Sequence, residues 1–313
     1  MIYYAMDNIK ILGLGTPLMD RFAKVDDSFL QKFGLKKGSS NYLDDANLAK
    51  IEEELKEKLI YEYPGDNARN MLENYALLGG EGAAYAGKIA KDGAGENIEK
   101  NLESRGIYSL LEYDRKFATG RILALITLEK ERTFAVYLGA GNEELDVGRL
   151  PACAMFFCTS ITLLCNGGIS KSAWEYAKRC KKGGAKIAIS LESPKMLEEK
   201  KEKMGKVCGV ADILFLNEDE MKAVEENEEG VGKLANIVFL KKGKNGSKVF
   251  VRGKEIGNVA AIKVENVVDT TGAGDAYAGG VLWALLNGKN EVEAAKIGNE
   301  IAARVIQKIG SRH

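Results

Sequence analysis

From residue 152 onward, short apolar runs alternate with stretches of helical period. The runs 154–159, 186–191 and 212–216 read as buried strands, and 172–182 and 196–208 carry apolar residues at helical spacing. A chain written this way lays its strands side by side in a parallel sheet with both faces covered by helices. Further on, 237–240 is another strand-like run, and 294–305 is an Ala-rich helix. With 313 residues and 45% hydrophobic content, the chain can bury a sizeable core without disulfides or metals.

Composition narrows the function. Lys and Arg total 45 against 45 Asp and Glu, so no global field recruits nucleic acid or an acidic membrane, and small molecules are the expected partners. The cysteines at 153, 158, 165, 180 and 208 form no C-x-x-C pair. With His313 as the only histidine, a zinc site and Ser-His or Cys-His nucleophilic catalysis are both disfavoured. Cys153, Cys158 and Cys165 read as small core hydrophobes. Acid–base work falls to carboxylates or lysines. The opening residues lack the pattern of a secretory signal, and no run of about 18 apolar residues occurs, so a cytoplasmic protein is expected.

The most informative stretch is Val267-Val268-Asp269-Thr270-Thr271-Gly272-Ala273-Gly274-Asp275, followed by the apolar run 276–286. It reads as a strand end, a glycine turn and a helix. Glycines bring backbone N–H groups close to a ligand, and the helix points its partly positive end at the same place, which makes an anion site. Asp275, in the first turn, is placed to take a proton from a hydroxyl that attacks a phosphorus atom. Standing alone, an Asp there is equally explained as a helix-end residue.

Two other motifs fall short of their patterns. Gly82-Ala83-Ala84-Tyr85-Ala86-Gly87-Lys88-Ile89 approaches the P-loop pattern, but Ile89 stands where a metal-binding hydroxyl is required and the run reads as a strand. A dinucleotide fingerprint at Gly272-x-Gly274 fails because Tyr277 replaces the third glycine.

The nine-residue run resembles the C-terminal signature of the ribokinase family of carbohydrate and nucleoside kinases, and the resemblance extends over essentially the whole chain, with particular similarity to the adenosine kinases. It implies a doubly wound, mostly parallel α/β core (1–15, 64–113 and 140–313) with a small β-containing lid in two pieces (16–63 and 114–139). In that family the Asp matching Asp275 is the catalytic base, and the amides of Gly272, Ala273 and Gly274 form the anion hole.

Further positions follow by the same resemblance. Gly15-Thr16-Pro17-Leu18-Met19-Asp20 is similar to the family's G-N-P-x-x-D, which gives Asp20 the substrate hydroxyls; Thr16 replaces the usual Asn. The run 65–70 is similar to G-G-x-x-x-N, which gives Gly65 and Asn70 the sugar, with Asp66 in place of the second glycine. A hairpin of 119–127 and 132–137 belongs to the lid. It implies that Arg132 reaches the phosphates and that Phe134 and Val136 pack on the base. Asn217 and Glu220 match N-x-x-E, a nucleotide contact and a magnesium-positioning carboxylate acting through water. Lys241, Gly243 and Gly246 resemble the nucleotide loop T-x-G-x-x-G, with Lys for Thr, and Asn299 matches a polar nucleotide contact.

The function so implied is phosphorylation of a nucleoside 5′-hydroxyl, adenosine first, with ATP as donor and Mg²⁺ as cofactor, by a monomer or homodimer. A kinase for free ribose or fructose and a catalytically silent nucleotide or nucleoside sensor remain alternatives.

Overall fold

The structure, a computed structural model, describes residues 8–129, 131–225 and 227–308; residues 1–7, Lys130 in the expected hairpin turn and His313 lie outside them. In chain order the strands are β1 (Ile11–Leu14), β2 (Leu18–Lys24), β3 (Ser40–Tyr42), β4 (Leu59–Gly65), β5 (Ala83–Ala90), β6 (Tyr108–Asp114), β7 (Gly120–Ile126), β8 (Arg132–Tyr137), β9 (Met155–Thr159), β10 (Lys186–Ser190), β11 (Ile213–Asn217), β12 (Ile237–Lys241), β13 (Ser247–Val251) and β14 (Lys254–Val259).

Among the described residues these form two sheets. The larger runs β14-β13-β12-β11-β10-β9-β1-β5-β6. From β12 to β6 every neighbour is parallel, and only the β12–β13–β14 edge is antiparallel. The chain starts in the middle at β1, winds one way through β5 and β6, then returns beside β1 and winds the other way from β9. The order therefore reverses next to β1, and ligands of such sheets bind beyond the strand ends at that point.

The strands are apolar on both faces because both faces are covered. On β1, Leu12 and Leu14 belong to the core under the helix Gly168–Lys182, and Ile11 to the core under the helices Asn67–Leu77, Ala273–Leu286 and Glu291–Val305. Leu214 and Leu216 against Ile213 and Phe215 repeat the alternation on β11.

The smaller sheet runs β3-β8-β7-β2-β4. One face packs Ala23, Leu123, Leu125 and Ala135 on the helices Asp27–Lys32 and Asp45–Leu55. By register the other face carries Asp20, Ile122 and Val136 in one row and Phe22, Ala124 and Phe134 in the next. No helix among the described residues is long and apolar enough to cross a membrane.

Several elements differ from expectation. The run 267–270 is not a strand: Val268 and Asp269 give their N–H groups to the Ile306 carbonyl, so the end of a helix holds the segment in place of a sheet partner. The helix expected over 196–208 is two, Pro194–Glu199 and Lys201–Val210, broken where Lys200 leaves helical geometry (φ −114°, ψ 22°). The helix Asp45–Leu55 leads into β4, which begins at Leu59. The near P-loop run is β5, a strand, as expected.

Candidate active site

The helix Ala273–Leu286 begins at Gly272, whose φ of 75° and ψ of 0° are left-handed geometry that glycine adopts without penalty. Its oxygen accepts from Ala276 N–H at 2.9 Å, which starts the helix; just before it, Ala273 N–H donates to the Thr270 carbonyl at 3.3 Å and closes the turn. Asp275 is buried in this first turn, and Asn70 Nδ2 donates to its Oδ2 at 3.2 Å. Burial pushes the Asp275 carboxyl up to about 7; the Asp66 and Glu220 carboxylates add to this, while the Asn70 amide and Lys241 ammonium oppose it.

Lys241, the last residue of β12, lays its ammonium against the glycine turn. A Cβ on Gly274 would lie 3.1 Å from Lys241 Nζ, so a larger residue would crowd the cation. A positive charge beside exposed helix-end amides is a phosphate seat.

The sugar-binding candidates converge from two of the crossings between the sheets, after β1 and after β4. Asp20 leaves the end of β1 through β2, and Gly65 ends β4; a Cβ on Gly65 would overlap the Asp20 carboxylate, so glycine is what lets them touch. Burial pushes Asp20 up to about 7, with Arg69 pulling down and Asp66 pushing up. Asp66 has φ 104°, a conformation that costs a non-glycine residue on the order of 1–3 kcal/mol. Its carboxylate compensates by accepting from Ala68 N–H (2.6 Å), Arg69 N–H (3.1 Å) and Tyr85 Oη (3.0 Å) while filling the space above Gly15. Asn70 is held from behind by Arg69 Nη1, 2.8 Å from its Oδ1. Arg69 is in turn fixed by the buried Glu73, with Nη2 to Oε2 at 2.6 Å.

Arg132 crosses from the smaller sheet. Its Nη1 donates to Thr271 Oγ1 at 2.6 Å and its Nη2 to Asp269 Oδ1 at 2.9 Å. Phe134 and Val136 share the sheet face that carries Asp20.

Asn217 and Glu220 are locked in a reciprocal cap at the start of the helix Glu218–Val224. Asn217 Oδ1 accepts from Glu220 N–H at 2.9 Å, and Glu220 Oε2 accepts from Asn217 N–H at 2.7 Å. Gly243, Gly246 and Asn299 line a cavity of about 580 Å³ with Ile262, Val264 and Ile306, open to Ala273 and Gly274. Asn299 spends its amide hydrogens on the Val259 and Ala260 carbonyls (3.2 and 3.1 Å), so it shapes the wall of that cavity.

Glu192 was missed. It lies just beyond β10, buried, and both carboxylate oxygens lack a hydrogen-bond partner. Burial first, then the Asp275 carboxylate, push it well above the usual carboxylate range, with Asn67 and Lys241 opposing. A lone acid at the C-terminal end of an apolar parallel strand was the available signal. Among the described residues no three His, Cys, Asp or Glu side chains form a ready metal cluster. The buried carboxylates of Glu192 and Glu220 are nevertheless hard oxygen donors, which fit a divalent cation such as Mg²⁺ that retains waters.

A buried carboxylate at a glycine-opened helix, with a lysine against that turn, suits transfer of a phosphoryl group to an alcohol. Residues 36–313 match the pfkB family of carbohydrate kinases, and the chain belongs to that family. The adenosine kinase of Saccharomyces cerevisiae is 26% identical, covering 96% of this chain and 95% of that protein. The crystal structure of adenosine kinase from Sinorhizobium meliloti superimposes with a TM-score of 0.84 at 28% identity, covering 98% and 96% of the two chains. A probable sugar kinase from Rhizobium etli superimposes with a TM-score of 0.85 at 25% identity over 97% and 95%. The fold is therefore the doubly wound α/β core with a β lid, and the activity that of a nucleoside or sugar kinase.

Proposed function

We propose that the protein transfers the γ-phosphoryl group of ATP to the 5′-hydroxyl of a nucleoside, adenosine first. The observation that carries this is the buried Asp275 beside the Gly272 turn, bonded to Asn70 and faced by Lys241.

In this reading Asp20 and Asn70 hold the sugar, and Gly65 leaves room for the Asp20 carboxylate. Asp275 removes the hydroxyl proton as the oxygen attacks phosphorus, and ADP departs on the opposite side. The amides of 272–274, the Lys241 ammonium and Arg132 carry the charge that accumulates on the transferring group. Mg²⁺, bound with ATP, would supply charge neutralisation across the phosphates, and Glu220 would hold it through water. The 580 Å³ cavity, with Gly243, Gly246 and Asn299 in its wall and Asn217 at its edge, takes the donor's adenosine.

The pieces 16–63 and 114–139 serve as the lid on a core of 1–15, 64–113 and 140–313. The lid face supports a nucleoside over a free sugar: Phe22, Ile122, Ala124, Phe134 and Val136 offer an apolar surface beside Asp20 that suits a planar base. The test is ADP release from Mg·ATP across adenosine, inosine, guanosine, cytidine, ribose and fructose, with the product's phosphate located by ³¹P NMR. Turnover with adenosine giving a 5′-monophosphate is expected; turnover confined to free sugars would move the protein to the carbohydrate branch.

A further inference from the structure

We infer that Glu192 is a direct ligand for the divalent cation that accompanies the nucleotide, forming with Glu220 a two-carboxylate seat. The inference rests on the kinase reading of the site. β10 and β11 are parallel neighbours, Ser190 opposite Phe215, and the two acids emerge just past their C-terminal ends. Glu192 is held by its backbone: its N–H donates to Ser160 Oγ at 2.9 Å, and its carbonyl accepts from the same hydroxyl at 3.3 Å. Its carboxylate, only 8% of the residue being exposed, has no partner within hydrogen-bond geometry on either oxygen, and only the nearby Asn67 side chain and the Lys241 ammonium favour its ionised form.

A rigidly placed carboxylate with two empty acceptors, repelled by Asp275 and Glu220, is a costly arrangement unless a cation joins it. Lys241 attracts it, but that ammonium already lies against Gly274. The oxygen-only donor set selects a hard cation, Mg²⁺ or Mn²⁺, and with Glu192 bound directly and Glu220 through water the remaining positions would go to water and phosphate oxygens.

The test is calorimetric titration of the β,γ-imido analogue of ATP into the whole protein, with Mg²⁺ and again in EDTA. The ratio of the two affinities measures how much the cation contributes. Glu192→Gln and Glu192→Ser should lower that ratio roughly 10- to 100-fold, with EDTA affinity unchanged or tighter because a like charge has gone. Glu192→Asp should restore part of it, and circular dichroism checks that all variants fold.

A wild-type ratio in Glu192→Gln overturns the inference, because a neutral amide would then be doing all that Glu192 does. An equal loss of affinity with and without Mg²⁺ also overturns it, by showing a structural role. If the acceptor panel turns over while the ratio ignores Glu192, only this inference falls. If the wild type shows no Mg²⁺-dependent gain, the inference falls, and a silent acceptor panel alongside would take the kinase reading with it.

Discussion

Arg132, at the first residue of β8, places Nη2 2.9 Å from Asp269 Oδ1, so the smaller sheet is tied by a charge pair to the turn where Asp275 lies. Asp269 also accepts from Thr271 N–H at 3.0 Å and Oγ1 at 2.7 Å, which stiffens that turn. An incoming γ-phosphate offers the guanidinium a second anion in the same place. Arg132→Ala should therefore lower kcat roughly 10²- to 10³-fold, within the range for cationic groups on a transferring phosphoryl. Arg132→Lys should recover only part, since a point charge lacks the two-pronged geometry. Steady-state kinetics checks both; a loss below threefold would assign Arg132 to lid packing alone.

Asp275 and Asp20 are both raised to about 7, chiefly by burial. A base works only when ionised, so kcat/KM should rise with pH through about 7 and level off above it. The stability sign is opposite. A carboxyl that ionises at about 4 unfolded but about 7 folded binds more protons in the native state between those values, so stability falls across that window and the full cost persists above it. Asp275→Asn should therefore raise Tm by several degrees at pH 8 and have little effect at pH 4, as differential scanning calorimetry would read.

Gly65→Ala adds a methyl where the Asp20 carboxylate packs. Displacing that carboxylate should raise KM for the acceptor by about tenfold or more and leave KM for ATP within about twofold, because the cavity proposed for ATP is built from other segments.

Asp66 combines strain with a cap. Asp66→Ala keeps the unfavourable φ and loses the bonds to Ala68, Arg69 and Tyr85, whereas Asp66→Gly loses the same bonds but relieves the backbone. Both should be destabilised in urea unfolding, Ala more than Gly by about 1–2 kcal/mol. Equal values would mean that the backbone at 66 relaxes.

The glycine turn, the strands of the core and the helix Ala273–Leu286 were legible because their signals are local: apolar runs, a helical period, and glycines where φ must be positive. β2 and β4 were not, because their pairing lies with each other and with β7, and Leu18–Lys24 shows no clear alternation in Leu-Met-Asp-Arg-Phe-Ala-Lys. Asp66 was visible as a departure from a glycine pattern, but its φ of 104° and its bond to Tyr85 needed the fold. Glu192 showed only as a lone acid past an apolar strand, since its meaning comes from Asp275 and Glu220, far away in sequence. The Asn217–Glu220 pair was readable as a helix start and as a family motif at once, and the fold uses it as a reciprocal cap.

The most direct measurement is kcat for 5′-phosphorylation of adenosine by the wild type and by Asp275→Asn, with ATP-analogue affinity measured on the same samples. A loss of several orders of magnitude in kcat is expected, with binding kept within a few fold. A variant that retains a tenth or more of wild-type turnover would contradict the assignment of Asp275 as the base.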